Sequence, residues 1–250
     1  MKKIMALLLV LLTMSLLTGC DHGAGDGDGN TSSRVPGVAM STMSFGPEQN
    51  MTPENLKGKI EVMNVAPYTG IYMEAGPFNK SREENVYALK VTNTSTETIL
   101  NAVLVYNDGT QDLNFFIEML PAGKSVYVVE LTKKQVVSTK LTFVQGAVNY
   151  LEEGVENKDA VAITPNRNFS VTVKNLSDKE IPCVWIFYRK VLEDGTFLGG
   201  RTLSTLCETI LPGEELDVQA EFWQYNSCDL VNVLLLDKVP DFSEEDTSSK

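Results

Sequence analysis

Beyond residue 59 the chain alternates β-branched and aromatic residues with polar ones in short runs that break at Asn, Asp, Gly and Pro. A period of two puts apolar side chains on one face of a strand, and no long run repeats at the helical period to compete. The pattern predicts strands over 60–65, 86–93, 99–106, 113–120, 125–131 and 141–149. A second series covers 161–163, 169–175, 181–191, 197–210, 216–222 and 230–236, and 133–141 has room for one helical turn. Short strands at regular spacing predict antiparallel β-sandwiches.

The pattern is different upstream. Residues 21–59 are rich in Gly, Ser, Asn, Pro and Met without either period. They read as a linker with one short helical turn at Thr52-Pro53-Glu54-Asn55, where Thr can cap and Pro suits the first position. Ahead of it, Lys2-Lys3 precede an uncharged run over 4–17 and the small pair Thr18-Gly19, the order of a secretory signal. That run is shorter than the roughly 20 residues a helix needs to span a bilayer.

The predicted strands repeat. Val91-Thr92-Asn93-Thr94-Ser95 matches Val173-Lys174-Asn175-Leu176-Ser177 at an offset of 82, which also carries Val103-Leu104-Val105-Tyr106 onto Trp185-Ile186-Phe187-Tyr188. Asp108-Gly109 answers Asp194-Gly195 at 86, and Leu120-Pro121 answers Leu211-Pro212 at 91, so the second copy has the longer hairpin. In each copy Asn-x-Ser makes a polar turn, Asp-Gly supplies the positive φ of a tight hairpin, and the Pro-Gly turn reverses the chain. The expected architecture is all-β: two tandem immunoglobulin-like antiparallel sandwiches, over 59–150 and 151–240, after a signal peptide at 1–19 and a linker at 20–58. An acidic tail at 241–250 is expected to be disordered.

These turn motifs resemble those of immunoglobulin-like bacterial extracytoplasmic modules, including the FxLYD type. The wider layout, with Pro67-Tyr68-Thr69-Gly70-Ile71-Tyr72 and Leu198-Gly199-Gly200, resembles Firmicutes-type lipoproteins with tandem domains of this kind. Leu17-Thr18-Gly19-Cys20 resembles the bacterial lipobox, which implies cleavage before Cys20 and acylation of its thiol. Several acyl chains at about 0.8 kcal/mol per buried CH₂ make a stable anchor. The resemblance thus implies a fold and a lipid anchor on the outer face of the cell membrane; an envelope protein is the expected partner on other grounds, because a binding role needs no site chemistry. The resemblance carries over no functional residue within the repeats.

Charge and chemistry narrow this further. The net charge of −12 opposes contact with phosphates, so nucleic acid is not an expected partner. The single histidine, His22, lies beside Cys20, and so no Ser-His-Asp or Cys-His arrangement is expected in the repeats. Carboxylate chemistry has candidates in Glu152, Glu153 and Glu156 and in Glu214, Glu215 and Asp217, but an acidic surface usually carries such groups as solvated charge. Asp26-x-Asp28-x-Asn30 begins like a calcium loop, yet Thr31 and Gly37 stand where Gly and Glu are needed, so it reads as linker. Cys183, Cys207 and Cys228 have no close Cys or His partner at metal-ligand spacing; they allow at most one disulfide, in three pairings, and read first as buried free thiols. Neither a metal nor a cofactor is expected.

The aromatic residues suggest a ligand surface. Alternation through Ala220-Glu221-Phe222-Trp223-Gln224-Tyr225 would face Trp223 outward near Tyr225, a surface suited to a sugar or a partner's apolar anchor. Trp185 and Phe187 alternate with Val184, Ile186 and Tyr188, so both faces of that strand are apolar and the second needs a cover. The expected role is a protein-binding or scaffold module, with carbohydrate binding through Trp223 and Tyr225 as the alternative and a carboxylate enzyme as a distant third.

Overall fold

A computed structural model describes residues 43–76, 80–152, 158–223 and 227–240. Leu17, Thr18, Gly19, Cys20, Tyr225 and the 241–250 tail lie outside the described residues. The described chain is all-β. Its strands are β1 (Gln49–Asn50), β2 (Ile60–Asn64), β3 (Tyr68–Met73), β4 (Lys80–Val86), β5 (Ala88–Asn93), β6 (Ile99–Asn107), β7 (Asp112–Leu120) and β8 (Ser125–Val129). They continue with β9 (Thr142–Tyr150), β10 (Val161–Pro165), β11 (Ser170–Asn175), β12 (Ile181–Val191), β13 (Phe197–Ile210), β14 (Glu215–Gln219) and β15 (Cys228–Leu236).

The repeat has the same hydrogen-bond plan in both copies. In the first, β2-β5-β8 faces β7-β6-β9; in the second, β10-β11-β14 faces β13-β12-β15. Asn93 and Asn175, both fully buried, clamp equivalent turns. Asn93 Nδ2 donates to the carbonyls of Glu97 (2.8 Å) and Leu120 (2.9 Å), and its Oδ1 accepts from the N–H and hydroxyl of Ser95. Asn175 does the same with Lys179 (2.7 Å), Ile210 (3.0 Å) and Ser177. Because Leu120 corresponds to Ile210, and Gly123 to Gly213 in their bonds to the two Asn carbonyls, the structural offset at this turn is 90. The sequence match of 91 is one residue too long, because Leu211 occupies the place of Pro121.

Truncating either Asn removes four hydrogen bonds and strands buried carbonyls. Asn93→Ala and Asn175→Ala should therefore each cost about 2–4 kcal/mol. Urea unfolding at neutral pH measures this, and a cost below about 0.5 kcal/mol at either site would contradict the equivalence of the turns.

The repeats do not form separate sheets. Strand β8 of the first pairs in parallel with β13 of the second, with Val126 opposite Phe197 and Tyr127 opposite Leu198. The result is a seven-stranded sheet, β1-β2-β5-β8-β13-β12-β15, that crosses the 150/151 division. One face of it belongs to a single core holding Ile60, Leu89 and Val126 together with Trp185, Phe187, Phe197 and Leu234. On the other face, Val184, Ile186, Tyr188 and Val233 pack against Val171 and Val173 of the second repeat. The register explains the partition, since Trp185 is opposite Leu234 and Ile186 is opposite Val233. The second apolar face of β12 is thus covered by the first repeat. Full burial of each large side chain there contributes about 1.5–3 kcal/mol.

The fold departs from the expected layout in two places. Residues 43–58, expected as linker, are built into the fold. The Ser44 N–H bonds to the Thr69 carbonyl, Phe45 stacks on Tyr127 at 4.1 Å, and Leu56 is buried in the core. The helical turn there is a single 3₁₀ turn, Glu54–Leu56, and the Thr52 hydroxyl accepts from the Val62 N–H instead of capping it. The second departure is the hairpin β3–β4, an insertion in the first repeat whose Tyr68, Tyr72 and Val86 cover Ala88, Tyr127, Val129 and Leu198. Residues 133–141 are irregular chain strapped to β4 through the Gln135–Val86 bridge, not a helix.

Candidate functional site

Of the residues singled out for ligand binding, Trp223 is 1% exposed. The expectation that it faces outward fails because β14 ends at Gln219. The chain then turns, with Phe222 at φ 67°, so the alternation no longer applies. Trp223 packs against Tyr188 with ring centroids 4.9 Å apart and joins the core of the second repeat. The acidic candidates are occupied locally. Glu214 accepts from the Leu211 N–H (2.8 Å), Glu215 pairs with Lys174 (2.7 Å), and Asp217 accepts from the Thr172 hydroxyl (2.5 Å). Glu152 is exposed, and Glu153 and Glu156 lie outside the described residues. Cys183 and Cys207 are buried thiols, with burial pushing Cys183 up to about 11. The Cys228 thiol donates to the Phe222 carbonyl at 3.5 Å.

What the structure brings together, and sequence reasoning missed, is a charged cluster at the joint between the repeats. It gathers Tyr72 and Glu74 at the end of β3, Glu118 on β7, Arg189 on β12, and Gly200, Arg201 and Thr202 on β13. Its backbone is set by Gly199 and Gly200. A Cβ on Gly199, at φ 103°, would sit 2.3 Å from the Met73 carbonyl oxygen, and one on Gly200 would sit 2.1 Å from that of Phe116. Only glycines let β13 come this close to both β3 and β7. In the sequence this place showed only as Leu198-Gly199-Gly200 and as Tyr72 in the 67–72 stretch, both noted for a resemblance and neither for a site.

Into that close approach β13 directs three backbone donors. Glu74 Oε2 accepts from the N–H groups of Gly200 (3.0 Å) and Arg201 (3.1 Å) and from the Tyr72 hydroxyl (3.2 Å). Glu118 Oε2 accepts from the Thr202 N–H at 3.1 Å. The Tyr72 hydroxyl oxygen accepts from the N–H groups of Val129 (3.1 Å) and Gly200 (3.0 Å), tying β8 to β13. Arg189 is buried and donates through Nη2 to the carbonyls of Glu118 and Gly200, the latter at 2.6 Å. Its Nε and Nη1 make no hydrogen bond among the described residues. Burial lowers the Arg189 guanidinium to about 10, with Glu118, Tyr72 and Glu74 opposing the shift.

Burial also raises Glu74 and Glu118 above the usual carboxylate range, against the pull of the backbone donors and arginines. The acid form is therefore the one folding favours. Each group's contribution to stability is fully present below its unfolded value near 4.5 and is lost as pH climbs through its raised value. Glu118→Gln should remove one such loss. The stability of this variant relative to the natural chain should then improve as pH rises above about 4.5. Unfolding curves across that range check the slope, and a parallel pair of profiles would contradict it. Asp108 behaves oppositely: the Thr110 hydroxyl, the N–H groups of Thr110 and Gln111 and the Tyr87 hydroxyl hold it well below the usual range, so its contribution is lost as pH falls.

Chemically the cluster is a brace. Its carboxylates are spent on the backbone of β13, and its guanidinium is spent on carbonyls of two strands. Fold and joint together define an all-β, antiparallel sandwich protein whose repeats are welded through one shared sheet. No family model, curated protein or solved structure matches the chain.

Proposed function

We propose that this chain is a lipid-anchored extracytoplasmic protein that acts as a binding or scaffold module of the cell envelope. Leu17-Thr18-Gly19-Cys20, standing behind Lys2-Lys3 and an uncharged run, is the observation that carries the anchor. A binding role is supported by the welded joint. A shared sheet and a charged brace hold the faces and edges of both repeats at a constant angle, which suits a platform that presents surfaces to a partner.

The test is fractionation of cells expressing the full chain and its Cys20→Ala variant. The natural chain is expected in the membrane fraction and labelled by a fatty-acid analogue, and the variant in the soluble fraction without label. A Cys20→Ala chain that stays with the membrane would overturn the anchor. Affinity capture with the anchored chain tests the binding role, and recovery of no envelope protein would count against it.

A further inference from the structure

We propose that two copies of this chain pair through the free edge of β9, strand to strand and antiparallel, about a two-fold axis at Gly146. Among the described residues, β9 is bonded to β6 on one side only. Over nine residues it contains neither a charged side chain nor a proline, in a chain of net charge −12. An exposed strand edge is a template for another strand, and soluble proteins blunt such edges with charge, proline, shortness or a cover.

The other edges are blunted in these ways. Strand β14 carries Glu215 and Asp217, and antiparallel self-pairing about its centre would set Asp217 against Asp217. Strand β4 carries Arg82, Glu83 and Glu84 and would set Glu83 against Glu83. Strand β10 ends in Pro165, and β1 is two residues long. Strands β7 and β3 lie against β13, and the 3₁₀ turn Lys158–Ala160 lies against β15. On β9 the same operation opposes no charges, placing Gln145 against Ala147 of the second copy. An acidic chain meets its own copy most easily along such an uncharged line, and the arrangement is self-complementary as a two-fold interface requires.

The face beside this edge favours the same pairing. Val103 is 40% exposed and stands directly opposite Ala147, and Val144 at the bulge in β9 is 49% exposed. Val103 occupies the position that Trp185 takes in the second repeat, where the first repeat covers it. Among the described residues, the corresponding face of the first repeat leaves Val103 on β6 and Val144, Gln145, Ala147 and Asn149 on β9 exposed. A second copy extends the three-stranded sheet to six and brings each exposed apolar strip beside its equivalent.

The experiment uses the full chain in detergent, measured by sedimentation velocity over a concentration series, with amide hydrogen exchange followed at 142–150. The expected result is a monomer–dimer equilibrium in which exchange over 142–150 slows as the dimer forms. Ala147→Lys, at an exposed position, should weaken dimerisation at least about tenfold and leave the thermal midpoint of the monomer unchanged. Asp217→Lys on β14 should leave dimerisation as it is. A monomer at every soluble concentration would overturn the proposal, as would a dimer indifferent to Ala147→Lys. So would protection of 142–150 only by an extended segment of another protein.

Discussion

Gly200→Ala is expected to destabilise the chain by at least about 3 kcal/mol, because the added methyl has no direction in which to move. Its Cβ would lie 2.1 Å from the Phe116 carbonyl oxygen and 2.8 Å from Val128 Cγ2, so both β7 and β8 would have to withdraw from β13. Withdrawal breaks more than packing. It also pulls the N–H groups of Gly200, Arg201 and Thr202 away from Tyr72, Glu74 and Glu118. Gly199→Ala should be comparably severe, since it combines a contact of 2.3 Å with Met73 O and a left-handed φ of 103°. Gly213→Ala is the control, with a φ of 75° but open space around the Cβ, and should cost only about 1–2 kcal/mol. Chemical denaturation of the three variants tests the ranking. If Gly200→Ala lost no more than Gly213→Ala, the close approach of β13 to β7 would be refuted.

Arg189→Met carries the second large effect, a loss of about 3–5 kcal/mol. Methionine fills much of the volume but donates nothing to the Glu118 and Gly200 carbonyls, and it leaves the Glu118 and Glu74 carboxylates with less positive charge beside them. It also removes the guanidinium that lies 5.9 Å from the centroid of Phe197. If Glu118 depends on Arg189 electrostatically, the double variant Arg189→Met/Glu118→Gln should lose less than the sum of the single variants, by about 1 kcal/mol or more. Strict additivity would separate the two side chains and leave Arg189 only its backbone hydrogen bonds and packing.

Strand positions were legible wherever one face was apolar and the other polar. Strands β6, β7, β11 and β13 fall within a residue of the expected bounds, and so does β12, whose apolar run is continuous, because such runs and the Asn-x-Ser and Asp-Gly turns are local properties. The turn asparagines read as turn chemistry, and the structure gives that chemistry its partners at Asn93 and Asn175. The hairpin β3–β4 was missed because Lys80–Val86 is dense in charge and buries little beyond Glu83 and Val86, so no alternation marks it. Trp223 was misplaced because alternation was extended past the end of the ladder, into residues whose direction depends on a turn. The cluster at the joint had no sequence pattern, since Tyr72, Glu118, Arg189 and Gly200 come from four strands far apart in the chain.

By itself the sequence determined an all-β chain, the repeat and its turns, and an apolar second face on β12 that had to be covered. Each follows from periodicity or from the φ and hydrogen-bond preferences of single residues, which act over a few positions. Only the tertiary structure decided what covers that face, that β8 and β13 pair in parallel across the repeats, and that among the described residues β9 keeps an open edge. A strand's pattern specifies how much apolar surface it must bury but is silent about which distant strand buries it. That choice is made by close approach at Gly199 and Gly200 and by the charges that close around it.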